Sequence, residues 1–184
     1  SAGGRSNNGS RSGSAISYSV RIADFGFAEP PPAAGLTKRL GSPGFIAPEI
    51  RLLCTSEEGA GYDGKRADMW SVGVTLSELF LGSERFDALW LANQASDQRA
   101  DSQEIVRCTL KAIRAAKELI CPRCSERTEA EGIHQNVDEE ENTTLAWETC
   151  ARTVFRRSVL MSPVNRWSAH EFVACVEAAV AAAT

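Results

Sequence analysis

The sequence predicts a mainly α-helical lobe that opens on one short strand. Three observations carry this. The run Lys65–Leu81, KRADMWSVGVTLSELFL, sets apolar side chains nearly all round a helix, the pattern of a helix buried on most sides. Two further stretches, 102–119 and 144–160, have helical patterns. The first places Ile105, Val106, Leu110, Ile113 and Ala116 on one face. Ser168 with Glu171 three residues later forms a capping-box signature, which starts a last helix running from Ala169 to about Ala182.

In chain order, residues 1–18 are almost all Ser, Gly, Asn and Arg. Such a segment buries too little apolar surface to offset its ordering entropy, so it reads as a flexible tail or loop remnant. Ser19–Ala23 reads as the strand. EPPPAA at 29–34 is a stiff, extended connector. CTSEEGAGYDG, before the first long helix, is a polar, turn-rich loop, and MSPVNR is a turn before the last helix. Residues of about 120–143 form an acidic, polar insertion expected to be mostly irregular. The domain reading is therefore a low-complexity segment at 1–18 and one partial domain at 19–182. There is no internal repeat.

A chain of 184 residues suits one domain or one large lobe, and 43% hydrophobic residues allow a sizeable core. The net charge of −4 argues against nucleic acid or an anionic membrane as an obligate partner. Six scattered cysteines, with no dense disulfide framework and no signal peptide, make reduced thiols in an intracellular, cytoplasmic setting the expectation. The most apolar runs, 70–82 and 172–183, are too short and too charged to span a bilayer. The first residue is Ser, so the chain is expected to be processed or a piece of a longer protein.

The chemistry shows in four motifs. Asp24-Phe25-Gly26 ends the short strand. Gly41-Ser42-Pro43-Gly44-Phe45 leads into Ala47-Pro48-Glu49. Asp68 stands at the start of the long helix, and Arg166 lies in SPVNRWSAHEF near the C-terminal end. In this order and at these spacings they resemble the eukaryotic protein kinases of Ser/Thr type, in the C-terminal lobe from the DFG motif onward. The resemblance is most specific between Ile22 and Gly82, moderate from Thr144 to Val173 and weak across 83–143. The wording GSPGF is most similar to the calmodulin-dependent kinase group.

That resemblance implies roles. Asp24 would ligate Mg²⁺, a hard cation that takes oxygen ligands and bridges the phosphates of ATP. Phe25 would pack inward as the switch, and Gly26 would allow the backbone turn. Without the resemblance, the triplet is an ordinary turn after a strand. Residues 24–49 would be the activation segment, with Gly41, Ser42, Pro43, Gly44 and Phe45 receiving the substrate peptide; the alternative for Ser42 is a turn residue. Glu49 and Arg166 would form a buried bidentate ion pair of structural value. Asp68 would hold the backbone of the catalytic loop, or else simply interact with the helix dipole. Thr37, followed by Lys38 and Arg39, is a candidate phosphosite or an ordinary exposed loop residue.

Other parts of the family pattern are missing from these residues. No G-x-G-x-x-G occurs, and His134 and His170 are followed by Gln and Glu rather than Arg-Asp. No catalytic base is therefore assigned, and the chain alone is expected to be inactive. In its parent protein it would belong to a kinase that transfers the γ-phosphate of ATP to Ser or Thr of a protein substrate. The alternative is a pseudokinase or kinase-like scaffold. Cys121 and Cys124 form a CxxC knuckle that with His134 could offer three zinc ligands, or merely a turn. The run DEEEN at 138–142 reads as a solvated loop, with a basic partner as the alternative.

Overall fold

The computed structural model describes residues 19–53, 61–94, 100–121 and 139–183. Six helices build it: α1 Pro48–Leu52, α2 Gly64–Leu81, α3 Ser83–Leu89, α4 Ser102–Ile120, α5 Glu139–Ser158 and α6 Ala169–Ala183. Single 3-10 turns at Leu91–Asn93 and Pro163–Asn165 join neighbours. No strand forms among the described residues. An isolated antiparallel bridge pairs Leu36 with Tyr62. Its two N–H···O bonds measure 2.9 and 2.8 Å.

Helix α2 is the spine. The Asp63 side chain accepts from the Lys65 and Arg66 backbone N–H groups, so two of the helix's orphan donors are satisfied at its start. Ala67, Met69, Trp70, Gly73, Val74, Ser77 and Leu81 are buried along it. Around Trp70 the core gathers Phe86 and Trp90 from α3 and its end, Ala112, Ala116 and Ile120 from α4, and Phe155 and Val159 from α5 and beyond. The rings of Trp70 and Trp90 lie 5.9 Å apart, and those of Phe86 and Trp90 6.1 Å apart in stacked orientation. Both separations fall in the favourable range for aromatic pairs. A second, smaller cluster of Cys150, Val154 and Ala179 joins α5 to α6, with Leu76, Trp167 and Phe172 packed against it.

Gly73 sets the distance between α2 and α5. A Cβ there would lie 2.7 Å from the Ser158 Cβ and 2.8 Å from Val159 Cγ2. Gly73→Ala should therefore destabilise the chain, by up to about 2 kcal/mol. Overpacking of this kind costs roughly 1–3 kcal/mol, and the gain in helix propensity returns about 1 kcal/mol. Thermal unfolding of the two proteins checks this; an unchanged or higher Tm would refute it.

Several expectations need correction. Ser19–Ala23 is not a strand: Val20 and Ile22 are 96% and 85% exposed, and no described segment pairs with them. An edge with no partner makes no ladder. On α4, Thr109 and Ala112 face inward while Leu110 is 44% exposed, because the buried stripe runs Ile105, Thr109, Ala112, Ala116, Ile120. Helix α5 begins at Glu139, so the end of the acidic insertion is helical rather than irregular, whereas 122–138 lies outside the described residues. Leu79 and Phe80 of α2 are exposed, so that helix is less enclosed than its pattern suggests. Helix α3 was not foreseen.

At α6, Glu171 accepts from the Ser168 backbone N–H at 2.7 Å and from its hydroxyl at 2.8 Å, while the Glu171 N–H reaches back to Ser168 Oγ at 3.4 Å. The reciprocal pair pulls the Glu171 carboxyl below its ordinary range.

Candidate functional site

Of the motif residues, Glu49 and Arg166 meet beside α2 and Asp68 borders the cavity under the Gly41–Glu49 segment, whereas Asp24 lies on an exposed turn bonded to Gly26. Among the described residues Asp24 is the non-glycine residue with positive φ, at 59°, a region that Asp tolerates better than most residues. Its Oδ1 accepts the Gly26 N–H at 3.2 Å, and Ala28 N–H donates to the Phe25 carbonyl at 3.0 Å. These bonds form a tight polar turn that leaves the carboxylate exposed. Phe25, expected to pack inward, is 68% exposed, because no described element covers it.

The segment 41–49 is docked onto the helices. Gly41 and Gly44 take φ of 132° and 86°. A side chain at Gly44 would also collide with Leu91, at 2.3 Å. Between them Ser42 and Pro43 are exposed at the tip of a turn closed by Phe45 N–H donating to the Ser42 carbonyl at 3.1 Å. Trp90 Nε1 donates to the Gly44 carbonyl at 2.8 Å. Ser71 Oγ donates to the Phe45 carbonyl at 3.0 Å. The Phe45 ring sits 5.7 Å from that of Phe86. Pro48 then opens α1 at its first turn, where its missing N–H costs nothing, with Glu49 beside it.

Glu49 and Arg166, 117 residues apart, form a fork-to-fork pair: Nη1 to Oε1 at 2.6 Å and Nη2 to Oε2 at 2.7 Å. The Arg166 side chain is fully buried and that of Glu49 is 16% exposed. Arg166 also donates to the carbonyls of Leu160 at 2.7 Å and Arg66 at 3.1 Å, and its guanidinium stands 5.0 Å from the centre of the Trp70 ring. The charge is thus neutralised, hydrogen-bonded and stacked at once, which makes its burial tolerable.

Beneath the docked segment lies a cavity of about 540 Å³, bordered by Phe27, Glu29, Ser42, Tyr62, Asp68 and Ser71, among others. Burial, and then the nearby Asp63 charge, push the Asp68 carboxyl above its ordinary range. Tyr62 is raised by burial first, then by Glu29, Asp68 and Glu49. Its hydroxyl donates to the Lys38 carbonyl at 3.0 Å. Thr37 is exposed beside Lys38, which pairs with Glu29.

Elsewhere, Cys121 is buried with its sulfur 3.8 Å from the Arg152 carbonyl, while Cys124 and His134 lie outside the described residues. Among the described residues no cluster of three or more His, Cys, Asp or Glu could enclose a metal ion. Asp24, with an exposed carboxylate, nevertheless fits a Mg²⁺ carried mostly by phosphate oxygens and water, since such an ion needs only one or two protein carboxylates. Sequence reasoning missed Ser71 and Trp90 as the groups that hold the segment, and Tyr62 as the one that holds Leu36 and Lys38 ahead of it. Trp90 gave the one available signal, as one of four tryptophans in the chain.

The protein kinase domain family matches residues 10–175. The chain is 41% identical over 68 residues to the human phosphorylase b kinase gamma catalytic chain, liver/testis isoform, which covers 36% of this chain and 16% of that one. It is 46% identical over 70 residues to the serine/threonine-protein kinase atg1 of Aspergillus clavatus, covering 38% and 7%. With the zebrafish (Danio rerio) serine/threonine-protein kinase SIK3 homolog it shares 41% over 75 residues, covering 40% and 6%. The chain thus matches less than a fifth of the length of these curated relatives. No solved structure matches.

Proposed function

The chain belongs to the protein kinase family, and from that premise we propose that it is the substrate-facing part of a Ser/Thr kinase lobe. In its parent protein it would help transfer the γ-phosphate of ATP to a protein hydroxyl. The observation that carries this reading is the docked segment from Gly41 to Glu49, anchored at one end by Trp90 and Ser71 and at the other by Arg166. A peptide-receiving surface has to be rigid, and these bonds fix its backbone.

The parts divide the labour. Asp24 is the residue that would hold Mg²⁺, which on binding neutralises charge on the phosphates during transfer. Its turn, closed by the Gly26 N–H, aims one carboxylate oxygen and leaves the other open to a cation. Gly41 and Gly44 bend the backbone so that Ser42 and Pro43 project where a substrate chain would run. The Glu49–Arg166 pair transmits the position of this segment to α2 through the Arg66 carbonyl. A rival reading, a kinase-like scaffold without catalysis, draws support from the exposed Phe25.

No residue of this chain is assigned as the base. Purified chain with Mg-ATP and a generic Ser/Thr peptide should therefore give only background transfer, measured with radiolabelled ATP. Transfer above background that is lost in Asp24→Ala would show that the chain carries its own base and would overturn the assignment.

A further inference from the structure

The contact between α5 and α6 holds two sulfurs that the phosphoryl-transfer reading does not use. Cys150 of α5 is 7% exposed and Cys175 of α6 is partly exposed, and both are free thiols. Their Sγ atoms lie 3.8 Å apart, in van der Waals contact. The other two described cysteines are placed differently: Cys108 contacts Glu104 Oε1 at 3.1 Å, and Cys121 faces the Arg152 carbonyl. Beside the pair opens a groove of about 370 Å³ bordered by Ala146, Thr149, Thr153, Ala178 and Ala182. Small side chains on both helices let the backbones approach closely, and the groove gives a small oxidant a route to the sulfurs.

We propose that Cys150 and Cys175 are a modification site: oxidation by a hydroperoxide, hydrogen peroxide in the simplest case, joins them in a reversible disulfide that staples α5 to α6. The chemistry is ordered by exposure. Cys175, the more open sulfur, attacks the peroxide O–O bond as its thiolate, giving the sulfenic acid and hydroxide, which takes up a proton as water. Cys150 then attacks the Cys175 sulfur. The S–O bond breaks, the S–S bond forms, and the Cys150 proton leaves with the hydroxyl as a second water. Two thiols lose two electrons and one peroxide gains them.

The surroundings leave the first attack on peroxide to Cys175. Burial, and then its contact with Cys175, push the Cys150 thiol up to about 11, so it stays protonated at neutral pH and is a poor nucleophile toward peroxide on its own. A disulfide needs S–S of about 2.05 Å, so the sulfurs must close by about 1.8 Å, a movement that side-chain rotation beside an open groove allows. This inference is independent of catalysis.

The test uses the full chain. After treatment with hydrogen peroxide, free thiols are capped with iodoacetamide, and a tryptic digest is read by mass spectrometry. The expected result is one linked pair of peptides carrying Cys150 and Cys175, lost on treatment with dithiothreitol and absent in Cys150→Ser and Cys175→Ser. The link should raise Tm by roughly 6–12 °C, as a disulfide closing a loop of this size does in a chain of this length. Capping of both sulfurs after peroxide would overturn the proposal. So would links of Cys150 to Cys108 or Cys121 in equal yield, which would mark pairing in an unfolded chain.

Discussion

Glu49→Ala is expected to lower the Tm of the full chain by roughly 6–12 °C. Breaking a buried ion pair by removing one partner costs about 3–5 kcal/mol, because the other charge is left without compensation. The lower end applies here, at about 2–4 °C per kcal/mol. Arg166 keeps the Leu160 and Arg66 carbonyls and the Trp70 ring, so its charge is not wholly orphaned. It loses two charge-assisted bonds of 2.6 and 2.7 Å. The double variant Glu49→Leu with Arg166→Met separates the charge from the packing. It keeps apolar volume in place and buries no charge, so it should regain more than half of the lost Tm. A single variant that melts within about 2 °C of the unsubstituted chain would show that the pair, though buried, contributes no more than an exposed ion pair does.

The same pair shows what could be read from the chain and what could not. The presence and approximate spans of α2, α4 and α6 were legible, because each helix carries its own local signals. Asp63 or Asp101 stands before the first turn, Ser168 and Glu171 cap each other, and apolar residues recur at helical spacing. The motif residues Asp24, Glu49, Asp68 and Arg166 could be picked out by spacing. Their mutual geometry could not. Glu49 and Arg166 are 117 residues apart, and nothing local in either stretch dictates a bidentate contact. It follows from α2 placing Trp70 and the Arg66 carbonyl under the guanidinium.

The misreadings have equally specific causes. Ser19–Ala23 has the composition of a strand, but strand propensity describes a fit to neighbouring strands, and none is present among the described residues. Val20 and Ile22 therefore face solvent. Leu110 looked like core on apolarity alone. The choice between Leu110 and Thr109 was made by Arg51, whose Nη1 donates to Thr109 Oγ1 at 3.1 Å and so favours a hydroxyl on the inner face. Helix α3 was missed because SERFDAL offers fewer than two turns of pattern, too short for periodicity to speak. It is held by packing: Phe86 is 1% exposed between Phe45 and Trp90.

Under the proposed reading, Asp24→Asn in a full-length kinase carrying this lobe is expected to reduce phosphate transfer at least roughly 100-fold while leaving Tm within about 2 °C. The substitution is chosen for what it preserves. Asn tolerates a φ of 59° as well as Asp does, and its amide oxygen still accepts the Gly26 N–H. Shape, backbone and turn therefore survive, and only the negative charge and one oxygen are removed. Mg²⁺ favours hard, anionic oxygen, so under the proposed reading the Asn side chain would hold it less firmly than Asp24 would, and the charge that the ion would supply to the phosphates would be lost. Because the residue is exposed, its change should not propagate to the core. Glu49→Ala, in contrast, should lose stability and activity together. The contrast separates a chemical role from a structural one in two measurements, turnover with Mg-ATP and thermal unfolding. Near-full turnover by Asp24→Asn would remove Mg²⁺ from Asp24, and the scaffold reading would then account better for the exposed Phe25 beside it.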